Sequence, residues 1–80
     1  MEVSKDKLNE YINLYLNDVE DYGDNRDYYL LSETVLNNLK KPLITENKIN
    51  IKQLILENHN KNSIKQNDVL DDFLQYIENI

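Results

Sequence analysis

Residues 4–23 read Ser-Lys-Asp-Lys-Leu-Asn-Glu-Tyr-Ile-Asn-Leu-Tyr-Leu-Asn-Asp-Val-Glu-Asp-Tyr-Gly, and this stretch decides the fold of the 80-residue chain. At about 100° per residue, the apolar and tyrosine side chains from Leu8 to Tyr22 fall on one broad face. The polar and acidic side chains fall on the opposite face. Ser4 is a suitable N-cap, and Gly23 can end the helix at a C′ position. The stretch therefore predicts an amphipathic helix over about residues 4–22.

A second amphipathic helix is predicted close behind the first, over about residues 28–41. Asp27 is its expected N-cap, and Pro42 is expected to end it. Because only a few residues separate the two helices, they should form an antiparallel hairpin.

The third predicted helix is short, over about residues 50–58, with Asn50 as its N-cap. Residues 48–52, Lys-Ile-Asn-Ile-Lys, alternate as a β-strand does. No partner strand is evident in the sequence, so a helix is the preferred interpretation. Whether residues 43–51 form helix, strand or loop stays open.

The fourth helix is predicted over about residues 67–79. Residues 63–66, Ser-Ile-Lys-Gln, have the form of a capping box that could start it earlier. Against an earlier start, Ile64 would point away from the apolar face. The expected fold is all-α: a single domain over residues 1–80, built as a compact bundle of four helices.

Composition limits the partners that this chain can have. Fifteen Asp and Glu against nine Lys and Arg give a net charge of −6, which repels nucleic acid and anionic lipid and attracts basic proteins. Cysteine is absent, so neither disulfides nor thiolate–zinc sites can support the core. The polar amino terminus has no apolar stretch after it that is long enough for a signal peptide or a membrane span. A cytoplasmic protein without membrane contact is expected.

The stretch from Asp18 to Tyr29 concentrates five carboxylates and three tyrosines between the first two predicted helices. Three of the carboxylates fall beside the negative C-terminus of the first helix, where each costs roughly 0.3–1 kcal/mol. The sequence shows no compensation for them, and local rules are often broken at functional sites. Tyrosine also provides a large amphipathic contact area at little entropic cost. We therefore predict a protein-binding surface that consists of Asp18, Glu20, Asp21, Tyr22, Asp24, Asp27, Tyr28 and Tyr29.

The acidic stretch allows two other interpretations. It can be a solvated turn, with Tyr22 and Tyr28 closing the end of the core. A calcium loop fits poorly, because an EF-hand alignment from Asp18 places Tyr29 where a bidentate glutamate is required. His59 is the only histidine, so a histidine-based metal site or catalytic dyad lacks partners. No metal, cofactor or enzymatic activity is expected.

The leading functional hypothesis is a small acidic inhibitor that occupies the basic site of a nuclease or another nucleic-acid-binding protein. An immunity protein, an antitoxin-like protein and a phage protein directed against host or defence proteins all fit this description. Tyr28 and Tyr29 beside Asp24 and Asp27 are similar in kind to the tyrosine pair of colicin-type DNase immunity proteins, which are also small four-helix domains. The resemblance covers only these residues, with the acids in a different order, and is an analogy rather than family membership.

Two alternatives stay open. One is a structural subunit that forms a homo-oligomer, such as a homodimer, for instance through Leu14 and Leu30 if both are exposed. The other is a transcription-associated regulator in which the last two helices imitate a helix-turn-helix. Direct nucleic-acid binding is not expected of such a regulator. A recognition helix needs Lys, Arg, Asn or Gln toward the groove, whereas the fourth helix offers acids. These acids are most simply a solvated face. These acids are Asp68, Asp71, Asp72 and Glu78.

Overall fold

A computed structural model describes residues 2–21, 26–41, 48–59, 61 and 63–80, with Asp21 described in its backbone only. Four helices and one small pair of strands make up this part of the chain, which confirms the predicted all-α bundle. In chain order the elements are β1 (Glu2–Val3), α1 (Lys5–Asp21), α2 (Arg26–Lys40), β2 (Ile49–Asn50), α3 (Ile51–His59) and α4 (Ile64–Glu78).

Helix α1 begins as predicted. The Lys7 backbone N–H donates to Ser4 Oγ at 3.2 Å, and the Leu8 N–H donates to the Ser4 carbonyl at 3.0 Å as the first backbone bond of the helix. Ser4 is therefore the N-cap, and its side chain satisfies one of the amides that an uncapped helix start leaves open. Leu8, Ile12 and Tyr15 form the buried stripe of the helix.

Helices α1 and α2 form the predicted antiparallel hairpin. Four residues connect them, and four extended residues span at most about 14 Å, too little to return the chain for a parallel pair. The prediction of Asp27 as N-cap was wrong, because α2 begins at Arg26 and places Asp27 inside its first turn. There its carboxylate still complements the helix dipole. The predicted stop signals, Gly23 and Pro42, lie outside the described residues.

The third predicted helix, over about residues 50–58, is confirmed as α3, but the expectation that residues 48–52 have no partner strand was wrong. Val3 pairs with Ile49, and Glu2 pairs with Asn50, in an antiparallel register. Ile49 is only 2% exposed, so this short pairing anchors an apolar side chain in the core. Asn50 also caps α3 as predicted, with its Oδ1 accepting from the Gln53 N–H at 3.1 Å.

Helix α4 starts three residues earlier than predicted. Ser63 Oγ accepts from the Gln66 N–H at 3.3 Å, and Gln66 Oε1 accepts from the Ser63 N–H at 2.8 Å, which completes a capping box. Ile64 does point away from the core and is 81% exposed. Two satisfied backbone amides therefore determine the start of the helix, and one solvated isoleucine is tolerated.

The four helices and β2 bury one continuous apolar cluster. Its ring contact joins Phe73 of α4 to Tyr15 of α1, edge to face, with centroids 5.6 Å apart and ring planes at 76°. The members of the cluster are Leu8, Ile12, Tyr15, Val35, Leu36, Leu39, Ile49, Ile51, Leu54, Ile55, Val69, Leu70, Phe73 and Ile77.

Within the described residues, no helix is both long and apolar enough to span a bilayer.

Candidate protein-binding surface

The described part of the predicted surface divides into three places rather than forming one patch. Tyr28 and Asp18 have hydroxyl and carboxylate partners within the bundle. Glu20 and Tyr29 lie together on the outer side of the hairpin, and Asp27 lies in a cleft between α2 and α4. Of the other predicted residues, Asp21 is described in its backbone only, and Tyr22 and Asp24 lie outside the described residues.

The Tyr28 hydroxyl joins three helices. It donates to Asp72 Oδ2 of α4 at 2.7 Å and lies 2.9 Å from the Tyr15 hydroxyl of α1. Burial, reinforced by both of these partners, raises the pKa of Tyr28 far above the ordinary tyrosine value. Its phenol therefore stays neutral, and the hydrogen bonds hold its ring in a fixed position.

Ser32 of α2 lies on the core side of this group of hydroxyls. Its side chain is fully buried, and its Oγ has no hydrogen-bond partner among the described residues. The hydrogen-bonded path therefore runs from the Tyr15 hydroxyl through Tyr28 to the surface carboxylate of Asp72. This path restricts how the three helices can pack, because a shifted packing would break the hydrogen bonds of the Tyr15 and Tyr28 hydroxyls.

A second tyrosine–carboxylate pair joins α4 to the end of α1. The hydrogen bond to the Asp18 carboxylate, with some burial, raises the pKa of Tyr76 to about 12. The Tyr76 ring also stacks edge to face on Tyr15, with a centroid distance of 5.4 Å. The Asp18 carboxylate, near the C-terminus of α1, therefore lies beside a tyrosine hydroxyl of α4. The sequence could not show this, because it depends on how α1 packs on α4.

The outward part of the predicted surface centres on Tyr29. Burial, Glu33 and Glu20 together raise the pKa of Tyr29, and nearby Arg26 opposes them. Glu20 comes from α1, and Glu33 comes from the next turn of α2. We name Glu20, Tyr29 and Glu33 the hairpin acidic surface. Glu33 was not predicted, although its position four residues after Tyr29 places it on the same helical face.

The acids of α4 are exposed, as predicted for a solvated face, and two of them also have partners on other helices. Asp72 accepts the hydrogen bond from Tyr28, and Asp71 Oδ1 lies 2.9 Å from Nε2 of His59, the last residue of α3. Asp68 lines the cleft that also contains Asp27. The contacts of Asp72 and Asp71 link α4 to α2 and α3, which gives these two acids a structural role.

The described residues contain no group of three histidine, aspartate or glutamate side chains placed to hold a metal ion. Comparison with protein-family models, with curated proteins and with solved structures finds no match to this chain.

Proposed function

We propose that the protein is a non-enzymatic binding module that recognises a basic protein and inhibits it, with a nuclease or another nucleic-acid-binding protein as the favoured partner class. The observation that supports the proposal is the hairpin acidic surface, in which one tyrosine lies near carboxylates from two helices. Tyr29 can supply the anchoring contact, and Glu20 and Glu33 can receive lysine or arginine side chains.

Charge supports the same partner class. The chain carries −6, so its long-range field steers basic proteins toward it and repels phosphate backbones. An inhibitor of a nucleic-acid-binding protein needs this character, because it must present carboxylates where the partner normally meets phosphates. The immunity, antitoxin-like and phage-encoded roles all belong to this proposal, as does a cytoplasmic location.

Binding to the basic partner tests the proposal through paired variants of equal charge. The partner would be captured on the tagged full-length chain at low salt and purified, and its affinity would then be measured over a range of salt concentrations. The E20Q/E33Q variant should bind at least about threefold more weakly, since two exposed ion pairs are lost. The matched control, E57Q/E78Q, removes exposed glutamates from α3 and α4 and should change the affinity by less.

Circular dichroism would verify that both variants keep the helical content of the parent chain. Equal affinities for the two variants would exclude the hairpin acidic surface from the interface. If no basic protein bound at low salt, the inhibitor proposal as a whole would fail.

Self-association is the second candidate function, and exposed apolar side chains favour it. Leu56 is 58% exposed, and Leu14 and Leu30 are 41% and 45% exposed. A homodimer or larger assembly could cover such side chains, which would make the chain a structural subunit. Light scattering at several concentrations tests this, since a monomeric mass throughout would exclude it.

A further inference from the structure

Helix α3 has an outer face that stays exposed in the described part of the chain. Lys52 and Leu56 lie one turn apart on this face, and Leu56 is 58% exposed. Exposed Lys48 precedes the helix, and exposed Lys61 follows it. We name Lys48, Lys52, Leu56 and Lys61 the α3 basic face. Residues 48–61 carry three lysines against one acid, a net charge of +2, so the rest of the chain carries −8 of the total of −6.

The lysines of the α3 basic face are not neutralised within their own chain. No carboxylate of the described residues lies within ion-pair distance of Lys48, Lys52 or Lys61. Glu57, the one acid of α3, accepts a hydrogen bond from Gln53 Nε2 at 3.3 Å. The face therefore offers three ammonium groups to another molecule.

The hairpin acidic surface has the complementary character. In the part of the chain that the structure describes, no cation lies within ion-pair distance of Glu20 or Glu33. Leu30 adjoins Tyr29, lies three residues before Glu33 on the same side of α2, and is 45% exposed. Each of the two surfaces thus combines unpaired charges of one sign with an exposed leucine.

We propose that the α3 basic face of one copy of the chain binds the hairpin acidic surface of a second copy. The complementary charges support this occupant. Nucleic acid and anionic lipid fit less well, because the −8 of the remaining chain repels them, whereas a second copy supplies carboxylates and an apolar contact together.

The inference rests on the proposed function for its choice of acidic surface, and it adds a form of regulation. Self-association covers the surface that a basic partner would use, so the two associations compete. A partner must then displace the second copy before it can bind.

Sedimentation equilibrium of the full-length chain, without any partner, tests the proposal from micromolar to millimolar concentration. At low salt the mass should rise with concentration above the 9.6 kDa of the monomer. About 1 M salt shortens the range of interaction between charges to roughly 3 Å and should return the mass toward that of the monomer.

Paired variants of equal charge locate the contact on α3. K52E/L56Q should weaken self-association at least about threefold, since an ion pair becomes a repulsion and an apolar contact is lost. The matched control, I64Q/K65E, makes the same change of charge and replaces an exposed aliphatic side chain of α4. It should weaken self-association by less.

A charge swap locates the other side of the contact. K52E and E20K/E33K should each self-associate more weakly than the parent chain, because each variant brings like charges together. An equimolar mixture of the two should restore association, since the unchanged acids of the first then meet the unchanged lysines of the second. Circular dichroism would verify that every variant keeps its helical content.

Four outcomes would overturn the inference. A monomeric mass throughout would do so while leaving the proposed function standing, because partner capture is measured separately. Equal losses for K52E/L56Q and I64Q/K65E would show only a general effect of net charge. Undiminished association of E20K/E33K would place the contact elsewhere. Amide shifts of Lys52 and Leu56 on addition of a short DNA duplex, but not with rising concentration of the chain, would identify phosphate as the occupant.

Discussion

Replacing Tyr28 with phenylalanine should destabilise the bundle more than any other loss of a single tyrosine hydroxyl. The change removes the 2.7 Å hydrogen bond to Asp72 and the 2.9 Å contact with Tyr15 while keeping the ring. It also leaves the Tyr15 hydroxyl, on a residue only 6% exposed, without its neighbour across the hairpin.

The expected size follows from these two losses. A hydrogen bond contributes about 0.5–1.5 kcal/mol net, and more to a charged acceptor, although exposure of Asp72 reduces that gain. Leaving a buried hydroxyl unpaired costs about 1–3 kcal/mol. We expect Y28F to lower the free energy of unfolding by about 1.5–3 kcal/mol. A loss of 2 kcal/mol would lower the Tm by about 8–16 °C at this chain length.

Urea unfolding followed by circular dichroism measures the effect. The matched control is Y11F, because the Tyr11 ring interacts with Lys7 while its hydroxyl has no partner among the described residues. A double-mutant cycle with D72N should show coupling of about 0.5–1 kcal/mol. A loss for Y28F no greater than that for Y11F would refute the role assigned to the hydroxyl group.

Three further predictions concern the ends of the elements, the core and the response to pH. S63A should cost about 0.5–2 kcal/mol in urea unfolding, whereas S63D should keep most of the stability; equal losses would contradict the capping box. I49A should lower the free energy of unfolding by about 2–5 kcal/mol. I64A makes the same change at an 81% exposed position and should alter it by no more than about 0.5 kcal/mol. Similar values for the two variants would contradict the β2 assignment. The tyrosines of the unfolded chain lose their protons above pH about 10. In the folded chain, burial and hydrogen bonding raise the pKa of Tyr28, and the bond to Asp18 raises the pKa of Tyr76 to about 12. The folded state then binds more protons, so stability should be full below pH about 10 and fall as pH rises toward 12. Urea midpoints that do not fall between pH 9 and 11, or a decline that is no shallower in Y76F, would contradict this.

Local patterns in the sequence predicted the helices well because each helix carries its own signals. Ser4 and Asn50 act as caps through contacts three residues away, which the sequence displays directly. The start of α4 was misjudged because the apolar face was given more weight than the capping box. The alternation of residues 48–52 is visible in the sequence, but its partner strand, Glu2–Val3, is not, because it is distant in sequence and too short to show alternation of its own.

The candidate site was less predictable, since its contacts join helices that are remote in sequence. Tyr28 and Asp72 are separated by 44 positions, and nothing in either segment marks them as partners. The sequence did place the acids and tyrosines at one end of the hairpin. It could not show which of them point inward, because that depends on the packing of α4 against α1 and α2.

This packing changes the case for function that the acidic stretch first made. Acids near the C-terminus of α1 implied function because they had no visible compensation, yet Asp18 lies beside the Tyr76 hydroxyl of α4 and so has a partner within the bundle. The same holds for Tyr28, whose hydroxyl serves the fold. Subtracting the paired groups leaves Glu20, Tyr29 and Asp27 as the described residues on which a partner can act. Since Glu20 and Tyr29 lie on one side of α2 and Asp27 on another, a partner that used all three would have to wrap around the start of that helix. Combining the E20Q and D27N changes would therefore separate two cases. If one partner spans both places, the effects of the two changes on its affinity would add. If the partner uses a single face, one of the two changes would leave the affinity unchanged.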